Sequence, residues 1–311
     1  MRLNRLVGDQ LQEKVRNWLS LPDPSENHNT ARAAHYGETA TWFLHGPTFK
    51  EWQEAGSLLW IHGKRESLSQ TFITTPDHEL LPNHVAGSGK SIFWYVLLHV
   101  VLSDTFTSPI SSTIIQTVKA KCDRGLALMG YYYFDFNTVA KQGIRGLLTS
   151  LLSQLCAKSN SCYDIISELY SVNNAGSQQP GNDALTECLK KMLSLPQQPM
   201  KYIIMDALDE CPNITGFPTP REEVLDLLDD LLKTNLPGLR ICVTSRLEVD
   251  IRNVLEPLTS LRVSLHDEAG QKQDILDYIS SVVHNDRRMR RWRPEDKQLV
   301  VDTLSAKADG M

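Results

Sequence analysis

The sequence predicts an α/β sandwich built on a mostly parallel, five-stranded sheet, and three observations carry that expectation. First, five short apolar runs recur along the chain: "SLLWIHG" (57–63), "LMGYYYFDF" (128–136), "KYIIMDAL" (201–208), "LRICVTSR" (239–246) and "LRVSLH" (261–266). They are continuous rather than alternating, which suits strands buried on both faces. Second, stretches of helical spacing stand between them, at Ser91–Leu102, Ile144–Cys156, Asp183–Leu193 and Glu222–Leu232. Strand–helix alternation of this kind favours parallel pairing with helices on both faces. Third, polar and acidic residues cluster just after several of the runs. Right-handed crossovers bring those segments to one edge of the sheet, where open α/β folds bind ligands.

The flanks read differently. Leu3, Leu6, Val7, Leu11, Val15 and Leu19 have the spacing of one amphipathic helix, which "SLPDPSENHN" then ends. The mixed segment "ARAAHYGETATWFLHGPTFKEWQE" carries Trp42, Phe43, Phe49 and Trp52, enough aromatic surface to pack on the unit that follows. "SVNNAGSQQPGND" (171–183) is a polar loop. The tail after residue 270 reads as two helices around the basic turn "RRMRRWR".

Bulk properties narrow the function. The 311 residues suffice for one large domain or two smaller ones. Lys and Arg number 32 against 37 Asp and Glu, so the net charge is −5 and implies no general affinity for nucleic acid or anionic membranes. None of the six cysteines forms a CxxC pair or a metal-ligand spacing, so buried free thiols in a reducing compartment are expected. The N-terminus lacks the apolar core of a signal peptide. The longest apolar run, Ile92–Leu102, is too short to span a bilayer and contains His99. A cytoplasmic location, with no membrane partner, is the expectation.

The most informative stretch is "LLWIHGKRESLSQTFITTPDHELLPNHVAGSGKSIFWYVLL" (58–98). A phosphate-binding loop reads G-x-x-x-x-G-K-[ST] between a strand and a helix. Here Gly89-Lys90-Ser91 is present, but His84 stands where the first glycine belongs. With Arg65–Val85 removed, "LLWIHGKAGSGKSIFWYVLL" matches at every position, from Gly63 and Lys64 through Gly87, Ser88, Gly89, Lys90 and Ser91. The glycines let successive N–H groups turn in around a phosphate, and the helix N-terminus adds its own. Lys90 would reach the β- and γ-phosphates of ATP or GTP, and the Ser91 hydroxyl would bind Mg²⁺.

"KYIIMDALDEC" places Asp206 at the end of an apolar run, with Asp209 and Glu210 just beyond. Asp206 is the candidate Mg²⁺ ligand. Asp209 and Glu210 share the role of orienting or deprotonating an attacking water. "ICVTSR" ends in Thr244, Ser245 and Arg246 on the same edge, and Arg246 is the candidate group to sense or stabilise γ-phosphate charge.

In this order and spacing, "LLWIHGK…AGSGKS", "YIIMDALDEC" and "ICVTSRLEVDIR" resemble NACHT-type P-loop NTPase domains of the STAND signalling class. The nearest likeness is to the nephrocystin-like N-terminal NTPase module of fungal proteins. By position, Gly63, Gly87, Gly89, Lys90 and Ser91 resemble the Walker A loop, Asp206, Asp209 and Glu210 the Walker B acids, and Arg246 the sensor arginine. The resemblance implies a three-layer P-loop sandwich with strand order 5-1-4-3-2. It also implies a switch held closed by ADP and released by triphosphate, with self-association as the output. The expected organisation is a helical lead-in (1–50), the NTPase domain (51–270) and a truncated helical extension (271–311). Members of the class continue into a winged-helix region and sensing repeats, which this chain does not reach.

The segment 65–85 is either a surface insertion or translated intron, and the second is favoured because a phosphate loop must close tightly. The leading functional expectation is a Mg²⁺-dependent, nucleoside-triphosphate-binding switch with slow hydrolysis. The competing ones are a non-catalytic interaction module with an interrupted loop and, further off, a P-loop kinase using Arg287–Arg293 as its lid.

Overall fold

The computed structural model describes residues 13–19, 25, 27–29, 40–63, 107–196, 199–214, 216–259, 261–265, 269–285, 289–290 and 292–308. Five strands form one sheet: β1 (Leu58–Gly63), β2 (Ala127–Tyr133), β3 (Met200–Asp206), β4 (Leu239–Arg246) and β5 (Leu261–Ser264). Their spatial order is β2-β3-β4-β1-β5, and all four pairings are parallel. Read from the other edge this is the expected 5-1-4-3-2 order. Strands 1 and 4 are central and buried almost throughout, as their continuous apolar runs require. Strand β5, at the edge, alternates buried Leu261 and Val263 with exposed Arg262.

Helices cover both faces, giving three layers. From residue 41 onward these are α1 (Thr41–His45), α2 (Pro47–Glu54), α3 (Thr107–Cys122), α4 (Ile144–Cys156), α5 (Asn160–Val172), α6 (Asn182–Ser194), α7 (Pro220–Lys233), α8 (Val249–Leu255), α9 (Ala269–Asn285) and α10 (Pro294–Ala308). A helical stretch over 13–19 precedes them. Helices α4 to α8 pack on the face formed by Leu58, Trp60, Ile203, Met205, Ile241 and Val243. Helices α1, α2 and α3 pack on the opposite face, against Leu59, Ile61, Tyr202, Ile204 and Cys242.

The aromatic lead-in packs as its composition suggests. Trp52 is fully buried, stands edge-on to Tyr202 and donates its indole N–H to the Ile241 carbonyl at 3.0 Å. Trp42 donates to the Asp274 carboxylate at 2.9 Å, tying α1 to α9. Helix α4 spans the residues its spacing predicts. α6 and α7 extend a residue or two beyond the expected ranges at each end, and the tail forms the two expected helices. Helices α3 and α5 were not anticipated. The helix expected at Ser91–Leu102, and most of the one expected at Leu3–Leu19, lie outside the described residues. All six cysteines are free, four of them buried. Among the described residues no helix is long and apolar enough to cross a membrane.

Candidate functional site

The site is the carboxyl edge of β1, β3 and β4. Gly63 ends β1 and lies in register with Arg246, which ends β4; Leu247 donates its N–H back to the Gly63 carbonyl at 3.1 Å. Among the described residues, nothing lies within 4 Å of a Cβ placed at Gly63. Asp206 ends β3 and is 1% exposed. A carboxylate so buried needs partners. Thr244 Oγ1 donates to its Oδ1 at 2.6 Å, and the Ser111 hydroxyl of α3 donates to the same oxygen.

The pleat sorts the polar end of β4. Thr244 points to the Asp206 side, whereas Ser245, one residue on, faces the other way and accepts the Trp60 indole N–H at 2.9 Å. Thr244 has a second task, accepting the Ala207 N–H at 3.0 Å. Ala207 is left-handed (φ 55°, ψ 49°). That conformation costs an alanine about 1 kcal/mol. It turns the chain sharply after Asp206, so that the short 3-10 turn Leu208–Glu210 folds back over the strand end.

That turn separates the two acids the sequence left equivalent. Asp209 faces β4, accepting the Arg246 backbone N–H at 2.9 Å, with the Arg246 guanidinium Nε at 3.3 Å. Glu210 faces the loop after β2, where the Phe136 N–H donates to its Oε2 at 3.2 Å. Burial pushes the Glu210 carboxyl up to about 7; the Phe136 bond pulls it back, and the charges of Asp209, Asp206 and Asp135 add to the rise. An acid poised near neutrality can take or give a proton at physiological pH.

Asp135, in the loop after β2, was not singled out from the sequence, although an acid following an apolar run is the signal that identified Asp206. Burial alone would raise its carboxyl. The Asn137 N–H, the Thr138 hydroxyl, the Asn27 side chain and Lys141 outweigh burial and hold it below the usual aspartate value. It therefore stays charged beside Glu210. Tyr133, in register with Asp206, shares a hydrogen bond of 3.1 Å with His28 Nδ1. Burial, and then the Asp206 charge, push its phenol far above the ordinary range. Ser111 was also missed, because neither serine of "ISSTII" gives a sequence signal.

The structure thus brings Gly63, Asp206, Asp209, Glu210 and Arg246 to one edge. Gly87, Ser88, Gly89, Lys90 and Ser91 lie outside the described residues. No group of three or more His, Cys, Asp or Glu that could hold a metal occurs among the described residues. Mg²⁺ does not demand one, because it is commonly held by one or two carboxylates plus phosphates and water. A single carboxylate oriented by two hydroxyls fits that mode.

Residues 107–246 match the family model described as Nephrocystin 3, N-terminal. The matched segment opens on α3 and closes on Arg246. No curated protein matches the chain. Fold and family match together define an α/β three-layer module whose all-parallel sheet fits a P-loop NTPase-like fold.

Proposed function

We propose that this chain is a Mg²⁺-dependent, nucleoside-triphosphate-binding switch with slow hydrolysis, taking ATP or GTP, of the NACHT type within the STAND class. The observation that carries the reading is the meeting of Gly63, Asp206, Asp209, Glu210 and Arg246 from three strand ends on one sheet edge. The phosphate loop, Gly63 followed by Gly87–Ser91, would hold the phosphates, with Lys90 countering their charge. Ser91 and Asp206 would hold Mg²⁺, which neutralises charge on the β- and γ-phosphates when bound.

In this reading the two remaining acids take different tasks. Asp209 is engaged with Arg246, so it sets the position of that arginine. Glu210 has the better proton affinity for a base acting on water. Arg246 lies beyond Asp209 at the edge, suited to report whether a γ-phosphate is present. Self-association on triphosphate binding would be the output, within a protein whose NTPase unit spans 51–270. A second reading, an interaction module with an interrupted phosphate loop, draws on the family match beginning only at residue 107.

The test is a thermal shift of the full chain with Mg-ATP or Mg-GTP. A ligand at one hundred times its Kd stabilises by about 2.7 kcal/mol. The proposal expects a rise in Tm that Lys90→Ala and Asp206→Asn remove. A Tm indifferent to both nucleotides favours the interaction module.

A further inference from the structure

Arg221 is a buried arginine, 8% exposed, in the first turn of α7. A buried guanidinium persists only where its donors are met. Its donors join the turn after β3 to helix α8. Nε donates to the Cys211 carbonyl at 2.8 Å and Nη2 to the Asp209 carbonyl at 2.5 Å. Its backbone N–H donates to the Pro212 carbonyl at 3.1 Å. Glu210 therefore sits between two carbonyls gripped by the same side chain. The third arm, Nη1, meets Asp250 in α8 at 3.0 and 3.3 Å from the two carboxylate oxygens.

Asp250 is shared. Asn213 Nδ2 donates to it at 2.8 Å, and Asn213 Oδ1 accepts from the Thr219 hydroxyl at 2.8 Å. Thr219 caps α7, reciprocated by Glu222. Helix α8 begins three residues after Arg246. The network thus joins the acid turn after β3 to the helix that leaves β4.

We infer that Arg221 is a positioning residue: clamped to Asp250, it sets the backbone of the acid turn so that Asp209 faces Arg246 and Glu210 faces the loop after β2. This rests on the proposed function for its catalytic consequence, though not for the clamp itself. The planar fork matters, because a lysine carries the charge without the geometry to reach two carbonyls and a carboxylate together. Movement of α8 would pass through Asp250 and Arg221 to Glu210, linking the arginine strand to the acid turn.

The experiment uses the full chain and two readouts. Hydrogen exchange needs no nucleotide. In Arg221→Lys, peptides covering 207–214 should exchange about tenfold faster, with peptides from β1 and β4 unchanged. Steady-state hydrolysis should show kcat lowered about tenfold with KM nearly constant, since the phosphate loop is untouched. Asp250→Asn should move both readouts in the same direction by less, and it serves if Arg221→Lys does not fold. If the unaltered chain hydrolyses neither ATP nor GTP, the proposed function falls while the exchange result still judges the clamp. Unchanged exchange over 207–214 in a folded variant overturns the inference. So does a faster exchange spread evenly over the whole sheet, which would mark a general structural role.

Discussion

Arg246 and Asp209 are joined at two points: the Arg246 backbone N–H donates to Asp209 Oδ1 at 2.9 Å, and the guanidinium Nε lies 3.3 Å from Oδ2. The two contacts differ in weight. The arginine side chain is 42% exposed, so its ion pair contributes about 0–1 kcal/mol. The bond to the backbone N–H holds the turn against β4, and losing it leaves a half-buried donor unmet, at about 1–3 kcal/mol. Asp209→Ala should therefore lower unfolding stability by about that amount, and Arg246→Ala by less than 1 kcal/mol, in urea titrations. Equal losses would show that the side-chain pair, not the backbone bond, fixes the turn.

Glu210 gives the stability a pH dependence with a defined sign. Its carboxyl rises from an ordinary 4.5 to about 7 in the folded chain. Between those values the folded state holds a proton that the unfolded state has released. The contribution of Glu210 is then fully present below about 4.5 and is lost as pH climbs through about 7. Urea midpoints of the unaltered chain and of Glu210→Gln, compared from pH 4 to 8, should converge or cross in the direction that favours the variant at higher pH. A constant difference across that range would contradict the assignment. If Glu210 is the base, the hydrolysis rate should climb over the upper part of the same window.

Thr244 serves Asp206 and Ala207 at once. Thr244→Val keeps the volume and removes both bonds, leaving a half-buried N–H and a buried carboxylate each short of a partner. A loss of about 2–4 kcal/mol is expected from the two together. Thr244→Ser should recover most of it. In combination with Asp206→Asn the losses should fall short of their sum, since the two residues share a bond.

Helix α3 predicts where the phosphate loop ought to lead. Ser111, near its start, donates to Asp206. A phosphate loop has to open onto a helix whose N-terminus faces that acid. Joining Ile92 to Ile110 would set Ser111 three residues after Ser91, on the same helix face. A chain lacking both 65–85 and 93–109 should bind nucleotide about tenfold tighter than one lacking 65–85 alone, a gain of about 1.4 kcal/mol. Equal affinities would place the interruption in 65–85 only.

Much of the fold was legible because the sheet is buried on both faces. Largely apolar runs marked the strands, and β3 and β4 gather their acids and hydroxyls at the functional end, with Lys201 and Arg240 at the other. Helix α3 escaped notice for a physical reason. Its buried Ile110, Ile114, Ile115 and Val118 form an apolar stripe, but Ser111, Ser112 and Thr113, buried beside them, dilute it in the sequence. The positions of Gly63, Asp206 and Arg246 were readable as strand ends. The division of labour between Asp209 and Glu210 was not, because it depends on the left-handed Ala207 and the tight turn after it. Arg221 was hidden in "PREEVLD", which reads as a charged, solvated helix start, and only tertiary contacts reveal it as buried.

The most direct test of the nucleotide-switch reading is calorimetric titration of Mg-ATP and Mg-GTP into the full chain, the Arg65–Val85 deletion and that deletion carrying Lys90→Ala. The account predicts measurable binding by the deleted chain, weaker binding by the full chain, and loss of about tenfold or more in affinity with Lys90→Ala. Absence of Lys90-dependent binding in the deleted chain, with the fold intact, would contradict it.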